Sequence, residues 1–79
     1  MVVINMTPKQ IGQAIRTRRK QVGLTQTQLA ELAGCTQPFV VVAELGKPTM
    51  RLDKLMDVLR VLGLTLAVQD AERENDAGR

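Results

Sequence analysis

Histidine, tryptophan and tyrosine are absent from this chain of 79 residues, and cysteine and phenylalanine appear once each. Lack of histidine removes the side chain best suited to general acid–base work near neutral pH. A lone cysteine without histidine offers neither a zinc-ligand cluster nor an internal disulfide. An enzyme, a metal site and a bound cofactor are therefore not expected. Long hydrophobic runs are missing too: the longest, Phe39 to Ala43, is far too short to span a bilayer. The first residues lack the charged, apolar and small-residue succession of a secretory signal, so the expected location is the cytoplasm, where a reduced Cys35 is at home.

What is present is a hydrophobic content of 44%, enough for one small domain with a single core and little stability in reserve. The most informative stretch runs from Leu24 to Pro48. Thr25 and Gln28 form a T-x-x-Q capping box ahead of the apolar Leu29, Ala30, Leu32 and Ala33, and Gly34 stops that helix. Thr36 offers a second N-cap, Gln37 and Pro38 fill the first turn, and Gly46 with Pro48 ends the second helix. Two short helices joined by a tight glycine turn are a helix-turn-helix signature, in which the N-terminus of the second helix is presented to a DNA major groove.

The flanking segments complete an all-α bundle. Thr7, Pro8 and Gln10 open an earlier helix whose Ile11, Ala14, Ile15 and Val22 share a face, with Gly23 as its stop. After the motif, Leu52, Leu55, Met56, Leu59 and Leu62 recur at helical spacing up to Gly63, which predicts a further helix. Leu64, Leu66 and Val68 then alternate with Thr65 and Ala67, a period-two pattern that predicts one short strand. A single strand leaves its backbone groups unpaired, so a partner is needed: a second copy of the chain, or the apolar Met1 to Ile4. The dimer is the expected answer, with Leu64, Leu66 and Val68 as its dimerisation residues. The domain spans 7–68. Residues 1–6 form an N-terminal segment that is a strand, a partner-binding arm or a loose end, and 69–79 form a flexible acidic tail.

The charge pattern supports a polyanionic partner. Residues 1–68 carry nine basic and four acidic side chains, a net +5 within a chain whose overall charge is +3. Lys9, Arg16, Arg18, Arg19 and Lys20 cluster in the earliest helix, and Lys47, Arg51 and Lys54 follow the second motif helix. Clusters on both sides of a reader helix suit a phosphate backbone, although basic side chains are also simply the solvated face of many helices. Arg51 falls near the positive end of the last helix, where a cation is mildly unfavourable, and a phosphate partner would explain it.

Residues 8–68 resemble the lambda-repressor-type (Xre-like) helix-turn-helix family, through LTQTQLAELAG and the downstream ELGK stop. IRTRRKQVGLTQTQLAELAG together with LGKPTMRLDKLMDVLRVLGLTLAV resembles its HipB-type antitoxins. The resemblance implies a bundle of four to five helices and a homodimeric, operator-binding transcriptional repressor. It also implies a HipA-type Ser/Thr kinase toxin as partner, neutralised by the repressor, and control of the shared operon. Gln26 matches the glutamine that touches a phosphate and braces the recognition helix, and Thr25 matches the cap beside it. Gln37 matches the leading glutamine of the recognition helix, whose amide can bond adenine N6 and N7 together. Glu44 matches an acidic residue whose partner is an internal backbone or basic group.

The base-facing set is then Thr36, Gln37, Pro38, Val41 and Val42, and the phosphate-facing set Arg16, Thr25, Gln26, Lys47 and Arg51. Pro38, Val41 and Val42 depart from the polar residues usual at these positions, leaving methyl contacts to thymine as their direct readout. Three successive valines cannot all face inward on a helix, and the pattern places Val40 inside with Val41 and Val42 outside, for thymine or for a protein partner. Cys35 reads as an inert packing residue with a redox role as the alternative, and Met50 and Met56 read as packing residues. Two other functions stay open: a protein-interaction module with weakened DNA readout, and a phage-type repressor without a toxin.

Overall fold

The computed structural model describes residues 6–68; the N-terminal segment over 1–5 and the acidic tail over 69–79 lie outside the described residues. Four helices follow one another: α1 (Pro8–Gln21), α2 (Gln26–Ala33), α3 (Gln37–Leu45) and α4 (Leu52–Val61). The starts of the first three are written locally, while α4 begins at Arg51 without a side-chain cap. Thr7 and Gln10 exchange hydrogen bonds in a full capping box, and Thr25 and Gln28 repeat it eighteen positions on. Thr36 Oγ1 accepts from the Phe39 amide at 3.2 Å. Each oxygen satisfies an amide that the helix itself cannot. Gly34 and Gly46 end α2 and α3 at φ of 70° and 81°, a left-handed turn that a side chain would resist.

α3 is the centre of the bundle, packed against both α1 and α2, while α4 closes on α2. Ile15, Leu29, Val40, Val58 and Leu62 are fully buried between them, each contributing about 1.5–3 kcal/mol by leaving water. The α1–α3 crossing depends on Gly12. A Cβ there would stand 2.6 Å from the Glu44 carbonyl oxygen and nearer still to that of Ala43, so backbone meets backbone with no side chain between.

Several apolar residues read as core are not. Leu32 is 63% exposed, Val22 43% and Met56 49%, and Leu52 also faces outward. Val22 lies past the last turn of α1 at its C-cap, α2 buries only the side that meets α3 and α4, and α4 packs mainly on α2, which leaves Leu52 and Met56 outside. Residues 64–68 continue from α4 with no strand in the single chain. Leu64 is tied back by its amide to the Leu59 carbonyl at 2.8 Å and packs against the core.

Candidate nucleic-acid interface

Thr36, Gln37 and Pro38 lie exposed at the N-terminal end of α3, while Val40 and Ala43 anchor its inner side with no exposure. Val41 and Val42 are half-buried, which corrects the fully outward placement read from spacing. Successive residues turn by about 100° around a helix. With Val40 pointing in, Val41 and Val42 fall to either side of the inward direction, on a helix that both α1 and α2 pack against.

Behind this surface runs a chain of hydrogen bonds. Gln37 Nε2 donates to Gln26 Oε1 at 3.3 Å, and Gln26 Nε2 donates to Glu44 Oε1 at 3.1 Å. Arg19 Nε donates to Glu44 Oε2 at 2.5 Å, its Nη2 to Glu44 Oε1 at 3.1 Å and its Nη1 to the Leu24 carbonyl at 2.9 Å. The side chains of Arg19 and Glu44 are only 10% and 3% exposed. Burial alone would raise the pKa of Glu44, but hydrogen bonds from Arg19 and Gln26 together with the positive charges of Arg19 and Arg16 outweigh it and hold the carboxyl below its ordinary range. The same hydrogen bond raises the pKa of Arg19 further. Every buried side-chain polar atom among the described residues is partnered.

This chain re-sorts the basic cluster. Arg19 turns inward as a structural ion pair, which the spacing signals, since it sits one turn after the core residue Ile15. Arg18 Nε donates to the Leu62 carbonyl at 2.9 Å, fastening α1 to the end of α4. Lys54 Nζ donates to the Gly34 carbonyl at 3.1 Å, where a cation favours the negative end of α2. Arg16, Lys20 and Lys47 are exposed and make no side-chain hydrogen bond or ion pair among the described residues.

Thr25 keeps its side chain engaged in the cap, so what it can offer DNA is the half-open amide end of α2. Gln26 is half-buried at that same end, beside Gln37. Arg51 stands at the N-cap of α4 and grips Asp53 in a two-pronged pair at 3.1 and 2.7 Å. That hydrogen bond holds the Asp53 carboxyl below its usual range. Asp53 also gives Arg51 a reason to sit at a positive helix end that does not require phosphate.

Away from this face, burial raises the pKa of the Cys35 thiol more than Lys54 lowers it, and the residue packs against the core as expected of an unreactive thiol. Met56, Leu59, Arg60, Leu64, Thr65 and Leu66 line a shallow groove beside α4. Leu66 in this groove is 42% exposed, Val68 further along the chain is fully exposed, and the backbone of 65–68 meets no backbone partner among the described residues.

A four-helix fold whose second and third helices meet through a glycine turn, with the third offering its N-terminus, defines a helix-turn-helix protein. The chain belongs to the Helix-turn-helix family, whose profile matches residues 15–69. It is a transcriptional regulator that binds DNA, and not an enzyme. A helix-turn-helix-type transcriptional regulator of Sinorhizobium fredii is 40% identical over 62 residues, covering 78% of this chain and 82% of the relative. Among solved structures, HipB in a complex with an O4 20mer matches at a TM-score of 0.77 and 27% identity over 90% of this chain and 100% of the HipB chain. A HipA–HipB–O2–O3 complex matches at a TM-score of 0.77 and 25% identity, again over 90% and 100% of the two chains. No helix among the described residues is long and apolar enough to cross a membrane.

Proposed function

We propose that the chain is a homodimeric, operator-binding repressor and the antitoxin of a HipA-like Ser/Thr kinase, controlling its own operon. The observation that carries this reading is the likeness to HipB along 90% of the chain, including HipB held in a complex with HipA. The local geometry agrees with it. α3 enters the major groove with Gln37 at its leading end, set to read adenine through its amide, while Thr36 and Pro38 line the approach. Val41 and Val42 give thymine methyls what their half-buried positions leave uncovered. Arg16, Lys47 and the α2 end with Thr25 and Gln26 meet phosphates, and Arg51 joins them by exchanging Asp53 for phosphate. Leu64, Leu66 and Val68 seal the dimer.

Mobility shift on the DNA upstream of the chain's own gene, at two salt concentrations, tests the repressor half. Tight binding that weakens steeply with salt is the expected result, and equal affinity for unrelated duplexes would replace it by the interaction-module reading, which Pro38 and the valines favour. Co-expression with the kinase-like product of a neighbouring gene tests the antitoxin half. Restored growth and a co-purifying complex support it; a bound operator with no effect on the kinase reduces the function to a repressor without a toxin.

A further inference from the structure

We propose that Glu44, behind the DNA-facing surface, is a positioning residue that determines which atoms of the Gln37 amide face the DNA. The inference rests on the reading of Gln37 as the base-reading side chain. An ionised carboxylate only accepts hydrogen bonds and a guanidinium only donates them. Arg19 occupies both Glu44 oxygens, and Gln26 lies 3.1 Å from Oε1, so only the NH2 end of Gln26 can turn toward it. The carbonyl end of Gln26 is thereby left on the other side, 3.3 Å from the amide of Gln37. Gln37 must in turn donate.

The two ends of a glutamine amide have nearly the same shape, and their hydrogen-bond partners alone distinguish one flip from the other. The acceptor-only carboxylate makes that distinction for two glutamines in succession. Gln37 is left with its oxygen and one N–H for the groove. That combination suits adenine, with its N6 donor beside the N7 acceptor, and not guanine, whose N7 and O6 both accept. The opposite flip would present two N–H groups and suit guanine. Arg19 and Glu44, at 10% and 3% side-chain exposure, do this without touching DNA.

Glu44→Gln is nearly isosteric and introduces a donor where only acceptors stood, so the hydrogen bonds lose their single direction. Selection of the full chain against a randomised duplex pool reads the base preference at every position for the wild type, Glu44→Gln, Gln26→Met and Gln37→Ala. The wild type is expected to prefer adenine, by roughly tenfold or more, at the position that Gln37→Ala loses. Glu44→Gln is expected to shrink that preference to about threefold or less, or to turn it to guanine, with other positions unchanged. Gln26→Met keeps the Arg19–Glu44 pair and gives the same readout if Glu44→Gln fails to fold. An unchanged adenine preference in a folded Glu44→Gln or Gln26→Met variant overturns the positioning role while leaving Gln37 as the reader. Unchanged preferences in Gln37→Ala overturn the base reading, and the positioning role with it.

Discussion

At the scale of the residue, the Arg19–Glu44 pair combines the least exposed ion-pair geometry among the described residues with a carboxyl held below its ordinary range. A buried pair whose remaining donors and acceptors are satisfied is costly to break from one side, because the partner stays buried with an uncompensated charge. Glu44→Ala should therefore destabilise the fold by about 3–5 kcal/mol in urea titrations, and a loss under 1 kcal/mol would show that Arg19 finds water or another acceptor. Because the folded carboxyl of Glu44 is held below its ordinary value, its stabilisation is fully present above the ordinary carboxylate range and is lost as pH falls through the lower, folded value. Thermal melts of the wild type should drop on acidification below about pH 4.5, and those of Glu44→Gln should drop less. Charge at the surface is read differently. Lys47→Ala should flatten the log–log salt dependence of DNA binding by roughly 0.9, the amount for one phosphate contact. Arg51→Ala tests the competition with Asp53: a slope that does not move assigns the Arg51 charge to Asp53 and removes it from the interface.

At the scale of the element, Gly12 shows what a one-dimensional reading misses. In a helix a glycine is ordinarily a weak spot, and Ala would stabilise α1 by about 0.5–1 kcal/mol if nothing stood nearby. The α3 carbonyls of Ala43 and Glu44 stand where that methyl would go, so Gly12→Ala should instead destabilise, by about 1–3 kcal/mol, and should loosen the presentation of Gln37. A denaturation midpoint above wild type would mean that α1 can slide away from α3 at little cost. Helix starts were legible in the sequence because capping is local: a Thr and a Gln three residues later contain both halves of the interaction. The helix-turn-helix site was legible for the same reason, through Thr25, Gly34 and Thr36. The inward turn of Arg19 had a local signal in its place one turn after Ile15, but its ion-pair partner Glu44, the exposure of Leu32 and the partial burial of Val41 and Val42 depend on which helix lies opposite, and no local pattern encodes that. Gln26 and Gln37 are separated by eleven positions, and only the packing of α2 on α3 makes their amides neighbours.

At the scale of the whole molecule, the proposed dimer would join the region beyond α4 to operator geometry. Leu66 and Val68 are exposed, Met56 shares a groove with Leu66, and the backbone of 65–68 has no backbone partner among the described residues. Apolar surface and unpaired backbone in the same place are what a two-fold strand pairing would cover, and in that arrangement each copy supplies what the other lacks. The pairing would also fix the distance between the two α3 helices, and with it the half-site spacing a palindrome must match. Truncation after Leu64 keeps the residue that packs against the core and ties back to Leu59, and removes the rest. The shortened chain should sediment as a monomer with its helical circular-dichroism signal nearly intact. It should also bind a single half-site as the full chain does, yet lose cooperative binding to the paired site. A truncated chain that remains a tight dimer would place the interface on the exposed α4 face around Leu52 and Met56, and Met56→Glu should then be the substitution that separates the copies.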